Sequence, residues 1–206
     1  KMFFSESKVC YCLMLVLIVP VIIDMDYILQ LWLGETVPEY SNQFAILVLI
    51  DMLICTLNTP VNQVTFSTGN IKTYQIVSSC INLLLLPVCY IFLKIGFDAT
   101  SVFVITIIFS IINQAGCLLC MKKVFDYSMR AYLKSVVVPL AAITILLPIV
   151  PYLISAFMET SFSRLFSICI VDVVLAFFLI WGIVLNSKEQ ILVKEYIHKR
   201  ILKRNA

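Results

Sequence analysis

Residues 135–157 read Ser135-Val-Val-Val-Pro139-Leu-Ala-Ala-Ile-Thr144-Ile-Leu-Leu-Pro148-Ile-Val-Pro151-Tyr-Leu-Ile-Ser-Ala-Phe157, and no charged side chain interrupts them. A helix that crosses the hydrocarbon core of a bilayer needs about 20 mostly apolar residues. Five further runs meet that length: Phe3 to Ile23, Asn42 to Phe66, Tyr74 to Ile95, Thr100 to Met121 and Phe162 to Leu185. All six are far longer than the roughly 10-residue alternating strands of a membrane barrel. The 206 residues are 62% hydrophobic and 13% charged, with a mean hydropathy of +1.03. A soluble domain is about 45–50% apolar and about a quarter charged, so this chain lacks the polar cover that water demands. The expected fold is all-α, a polytopic membrane bundle of about six transmembrane helices over residues 1–185. A basic tail follows over residues 186–206.

The eight cysteines lie inside or at the ends of apolar runs, not in polar loops where a disulfide framework forms. Cys117-Leu-Leu-Cys120 has CxxC spacing, but no partner pair and no nearby histidine accompany it. These thiols read as small hydrophobes rather than metal or redox groups. Lys1 to Lys8 followed by an apolar run has a leader-like charge pattern, but no small-x-small cleavage site follows. It therefore reads as a span.

Orientation comes from the cations. Thirteen of the 15 Lys and Arg fall on one side of a six-span alternation, and only Lys94 and Arg164 fall on the other. The second side carries Asp24, Asp26, Glu35, Glu39, Asp98 and Glu159. The positive-inside rule then puts both termini in the cytoplasm. Lys8, near the start of the first span, is expected to snorkel towards the headgroups.

Between the first two spans, Asp24 to Gly34 places Tyr27, Ile28, Leu31 and Trp32 on one helical face. This pattern predicts a short interfacial helix ended by Gly34. The tail mixes Ile191, Leu192, Tyr196 and Ile201 with Lys, Arg and Glu. It reads as an amphipathic helix resting on anionic inner-leaflet lipid, rather than a nucleic-acid or partner site.

Polar groups inside the spans carry the functional reading. A carboxylate at the bilayer centre costs at least about 2.5–3.5 kcal/mol, so Asp51 and Asp172 are expected to face protein or water. Asp51, Cys55, Asn58, Asn62 and Thr65 recur at steps of 4, 3, 4 and 3 and share one helical face. Thr59 and Gln63 adjoin it, and Pro60 removes a backbone bond within it, so a kink is expected there. A kinked helix with a polar stripe predicts a hydrated cavity. Interhelical hydrogen bonding, at about 0.6 kcal/mol per contact, is the alternative. For Asp172 two readings stand: a neutral, protonated carboxyl packed between helices, or a functional acid. Asn82, Asn113 and Gln114 read as interhelical hydrogen bonders. The fifth span, with Pro139, Pro148 and Pro151, is expected to bend or partly break.

The single histidine, His198, is in the tail, and no Gly-rich phosphate loop is present. No His-based triad, zinc site or ATP hydrolysis is therefore expected, and neither is an enzymatic function or a cofactor.

Tyr27-Ile-Leu-Gln-Leu-Trp-Leu-Gly34 with Val37-Pro38-Glu39-Tyr40 resembles the loop after the seventh helix of bacterial polysaccharide flippases. These belong to the multidrug, oligosaccharidyl-lipid and polysaccharide exporter superfamily. Thr68-Gly-Asn-Ile-Lys72-Thr-Tyr74-Gln is similar to the cytoplasmic turn after their eighth helix, which Pro60, Asn62 and Gln63 precede. Lys122-Lys123 and the Tyr132-Leu-Lys134 approach to the next span also resemble that family, so the likeness runs along the whole chain.

The resemblance implies the second six-helix half of a twelve-helix, MATE-like transporter, with a companion N-terminal half. It implies a bacterial inner-membrane protein that moves lipid-linked oligosaccharide (undecaprenyl diphosphate sugar units) by alternating access for O-antigen, capsule or exopolysaccharide. An H+ or Na+ gradient would drive it. Asp51, Asn58, Asn62 and Gln63 would face the cavity, with Lys72 at its cytoplasmic mouth. A diphosphate cargo calls for cations, and the spans as read supply none beyond that mouth. Two other readings remain: an ion-coupled multidrug or metabolite exporter of the same fold, and a membrane scaffold with no cargo.

Overall fold

The computed structural model describes residues 2–34, 36–67, 69, 71–124, 127–186 and 189–191. Those residues form helices and turns, with no strand among them. Six helical segments are long and apolar enough to cross a membrane: Phe3–Ile23, Ser41–Ser67, Ile71–Ile95, Thr100–Lys122, Met129–Phe157 and Phe162–Val184. The chain is a multi-pass, all-α membrane bundle. Most of the tail, from residue 192 onward with 187 and 188, lies outside the described residues.

The first span is α1 (Met2–Ile23), and it is the hub of the bundle. Tyr11, Cys12, Leu15, Ile18 and Val19 are buried along it. The core they begin is completed by Val136, Leu140, Ile143 and Leu147 from the fifth span. After a single turn residue, Asp24, the chain enters α2 (Met25–Leu33). Met25 and Leu29 turn inward, while Leu31 and Trp32 stand exposed. Gly34 ends α2 at φ +83, a backbone state that favours glycine, with its N–H on the Gln30 carbonyl.

The second span breaks where Pro60 predicts. It is α3 (Ser41–Thr56) and α4 (Asn58–Ser67), interrupted at Leu57. Pro60 has no N–H for the carbonyl of Thr56, four residues back, and its ring crowds that carbonyl. The chain tightens locally, and Leu57 N–H donates to the Ile54 carbonyl at 3.1 Å. A turn through Gly69 leads to α5 (Ile71–Ile95), and a second through Gly96 leads to α6 (Thr100–Val124). These two pack along their length. Gly116 permits it, because Ile81 Cδ1 and Val77 Cγ1 come within 3.2 and 3.4 Å of the place its Cβ would occupy.

The fifth span begins at Met129, six residues before the apolar run, because Ser128 Oγ caps it by accepting from the Ala131 N–H at 3.3 Å. Arg130 and Lys134 therefore lie on helix rather than in a loop. The span is broken as its prolines require: α7 (Met129–Tyr132), a π-helical stretch Leu133–Val137, α8 (Val138–Leu146) and α9 (Ile149–Phe157). Pro148 and Pro151 leave the carbonyls of Thr144 and Leu147 without their usual donors, and the helix parts at Leu147–Pro148. The last span, α10 (Phe162–Leu179), is capped by Ser161 and ends in π-helical turns at Ile180–Val184.

Two ion pairs join the first and last spans, and both correct the sequence reading. Lys8 does not snorkel. It is 1% exposed, and its Nζ lies 2.9 Å from Glu189 Oε2. Ser5 Oγ donates to the other oxygen of Glu189 at 2.5 Å. A fixed carboxylate and a second donor serve a buried ammonium better than a reach along the helix to water. At the opposite end Asp24, which reads as a loop acid, is fully buried and paired with Arg164.

Candidate functional site

α6 carries α3 and α4 on one flank and α5 on the other. Ser110 donates to Asp51 Oδ1 at 2.5 Å, and Gln114 Nε2 donates to the Leu57 carbonyl at 3.1 Å. Ser110 and Gln114 are one turn apart, so that face of α6 looks at the second span. Gln114 is placed at the break itself, where the Pro60 kink disturbs the backbone ladder.

The direction in which α5 faces follows from two contacts. Val77 and Ile81 lie against Gly116, while Tyr74 and Ser78 turn their hydroxyls to Cys117. Moving around α5 from the Gly116 side past the Cys117 side leads next to Asn82, Gln75, Ser79 and Lys72. These four recur at steps of 3, 4 and 3, and all are exposed. They lie beyond Tyr74 and Ser78 on the exposed side of α5, turned away from Gly116. On the second span Cys55, Thr59 and Gln63 are exposed in turn, and Phe66 meets Tyr74 edge-on at 6.5 Å.

Two polar stripes result: exposed Cys55, Thr59 and Gln63 with half-buried Asn62 on the second span, and exposed Lys72, Gln75, Ser79 and Asn82 on α5. From Lys72 to Asn82 the α5 stripe rises about 15 Å at about 1.5 Å per residue. That reaches the middle of a hydrocarbon core about 30 Å thick.

The stripe named from sequence divides on inspection. Asp51 is half-buried and bound to Ser110, and Asn58 is half-buried with Oδ1 lacking a hydrogen-bond partner. Asn62 is half-buried, and Gln63 is exposed. Thr65 is buried, and its hydroxyl returns to the Val61 carbonyl. Lys72 is exposed at the N-terminal end of the α5 stripe. Asp172 is elsewhere: α10 packs on α1 and α9, and Asp172 is sealed in that seam with 0% exposure. Asn82, expected as an interhelical hydrogen bonder, is exposed in a stripe with Gln75 and Ser79 that the sequence reading did not include, although its spacing is the same signal that marks the second span.

Chemically, the two stripes offer amides and hydroxyls, each able to donate and accept hydrogen bonds, with the half-buried Asp51 carboxylate beside the first and the Lys72 ammonium at the end of the second. A cavity of about 430 Å³ lies between α1, α3 and α8, lined by groups such as Leu15, Val19, Leu53 and Ile54. Its two polar side chains, Tyr11 and Thr144, are bonded to each other at 2.9 Å. That cavity has little to hold a polar cargo. Among the described residues no cluster of three or more His, Cys, Asp or Glu is placed to hold a metal, and all eight cysteines are free thiols. No family model, curated protein or solved structure matches this chain.

Proposed function

We propose that this chain forms one half of an inner-membrane transporter that carries lipid-linked oligosaccharide across the bilayer by alternating access, with both termini in the cytoplasm. The observation that carries the reading is the pair of polar stripes left open on the second span and α5, which we read as the walls of a hydrated cleft. Polar side chains exposed to mid-depth are costly against lipid, and a hydrated path offsets that cost. Neutral amides and hydroxyls match sugar hydroxyls better than they match a hydrophobic cation. In this reading Lys72, exposed at the end of the α5 stripe, meets the diphosphate. A kinked second span and a broken fifth span suit a bundle that rocks between two states.

The orientation rests on the cation count and on Lys8 meeting Glu189, which supports an even number of crossings between them. Deleting the gene is expected to trap lipid-linked sugar units in the inner leaflet. Normal surface polysaccharide after deletion, in a cell without a second flippase, overturns the reading.

A further inference from the structure

Asp172 occupies the middle of α10, and neither of its carboxyl oxygens has a hydrogen-bond partner. It is 0% exposed, between Ile168 and Ala176 on the helical face that is itself buried. An ionised carboxylate in such a place has neither water, nor donor, nor counter-ion to replace its hydration.

The charges nearby are committed elsewhere. Arg164 lies two turns away on the same face, a rise of about 12 Å, and is paired with Asp24. On α1, Lys8 is held by Glu189, and Tyr11 is bonded to Thr144. Glu6, Cys10 and Cys12 are the remaining titratable groups of α1, and none of them is cationic. α9 brings only Tyr152, which is exposed, and Cys169 on α10 is a free thiol. A metal cation needs several oxygen ligands, and no second oxygen is bonded to Asp172. A proton needs one.

We propose that Asp172 is a proton-binding site, protonated while α10 is packed on α1 and releasing its proton to water when that seam opens. The O–H bond breaks, the proton leaves as hydronium, and the carboxylate left behind is hydrated. The seam is built for such a motion. Ion pairs clasp it at both ends, Lys8 with Glu189 just beyond the last span and Asp24 with Arg164 at the start of α10, while in between Asp172 lies between buried Ile168 and Ala176 with no ion pair. Asp24 Oδ2 and Arg164 Nε are also left without partners at the outer clasp. The site stands apart from the polar cleft and does not depend on the cargo.

The test is infrared spectroscopy of the full chain in phosphatidylethanolamine–phosphatidylglycerol vesicles at neutral pH. The wild type is expected to show the C=O stretch of a protonated, non-hydrogen-bonded carboxyl, and D172N is expected to lose it. D172L serves as a second variant if D172N does not accumulate. A band unchanged in either variant, or no such band in the wild type, overturns the proposal. If the band is lost as expected and no oligosaccharide is transported, the site stands and the transport reading falls.

Discussion

The ammonium of Lys8 and the carboxylate of Glu189 meet at 2.9 Å across 181 positions of sequence, fastening the N-terminal part of the first span to the start of the tail. Glu189 Oε2 also accepts from the Asn186 N–H at 2.8 Å, three residues back. This is the return half of a capping box, so one side chain both holds the backbone at Asn186 and anchors it to the first span.

Breaking this pair from either side should destabilise the bundle. Lys8→Met and Glu189→Gln are each expected to cost about 3 kcal/mol, the low end for a buried pair that loses one partner, because Glu189 keeps 16% exposure. The double variant should cost much less than the sum of the two. A thermal-unfolding cycle in detergent measures this, and strict additivity would refute the coupling.

Acid should loosen the same contact. Burial works against ionisation of Glu189, but Ser5, the Asn186 N–H and Lys8 together hold its carboxyl below the usual glutamate value. A carboxyl held lower in the folded state adds stability above its unfolded value, about 4.3, and loses it as pH falls through the folded one. Melting temperature should therefore drop below about pH 4 in the wild type, and Glu189→Gln should lack that part of the drop.

At the C-terminal end of the first span, Arg164→Met leaves Asp24 buried with no cation, at a cost of about 3–5 kcal/mol. Asp24→Asn combined with Arg164→Met should recover most of the loss. If the double variant is no more stable than Arg164→Met, the pair is not what closes the seam.

Thiol reactivity reports whether the cleft is wet. Cys55 is exposed on the cleft wall, Cys80 is exposed beside Leu83, Leu84 and Pro87 on the far face of α5, and Cys12 and Cys117 are buried. In single-cysteine chains in vesicles, a water-soluble maleimide should label Cys55 about tenfold faster than the other three, a barrier difference of about 1.4 kcal/mol. Equal rates at Cys55 and Cys80 would mean that lipid, not water, fills the cleft.

Pro60→Ala restores the N–H that the Thr56 carbonyl lacks and should straighten the second span. The fold should survive, since removing a helix proline is not itself costly. Transport should fall about tenfold, equivalent to about 1.4 kcal/mol on the limiting step. Gln114→Leu, which removes the bond to the Leu57 carbonyl, should cost stability by about 1 kcal/mol. Unaltered transport in Pro60→Ala would show that the kink is only a packing feature.

The crossings were legible without coordinates because they depend on local quantities. Length and apolarity mark the six spans, and proline chemistry acts on the carbonyl four residues back, so the breaks near Leu57 and Leu147 follow from Pro60, Pro148 and Pro151. The cleft was half legible. A 3–4 spacing reveals which residues share a helix face, but not what that face looks at. Asp51 binds Ser110, and only the packing of α5 on α6 through Gly116 decides that the Gln75–Ser79–Asn82 stripe is left exposed.

Sequence by itself thus determined that this chain crosses a membrane, where it crosses, where its helices break and which faces are polar. Tertiary structure alone decided which faces meet, and so which charges are free. Lys8 and Glu189, and Asp24 and Arg164, are separated by 181 and 140 positions, beyond the reach of any helical period. The same packing that neutralises those four leaves Asp172 without a partner. Burial and pairing are properties of neighbouring helices, and a carboxyl's own sequence context does not contain them.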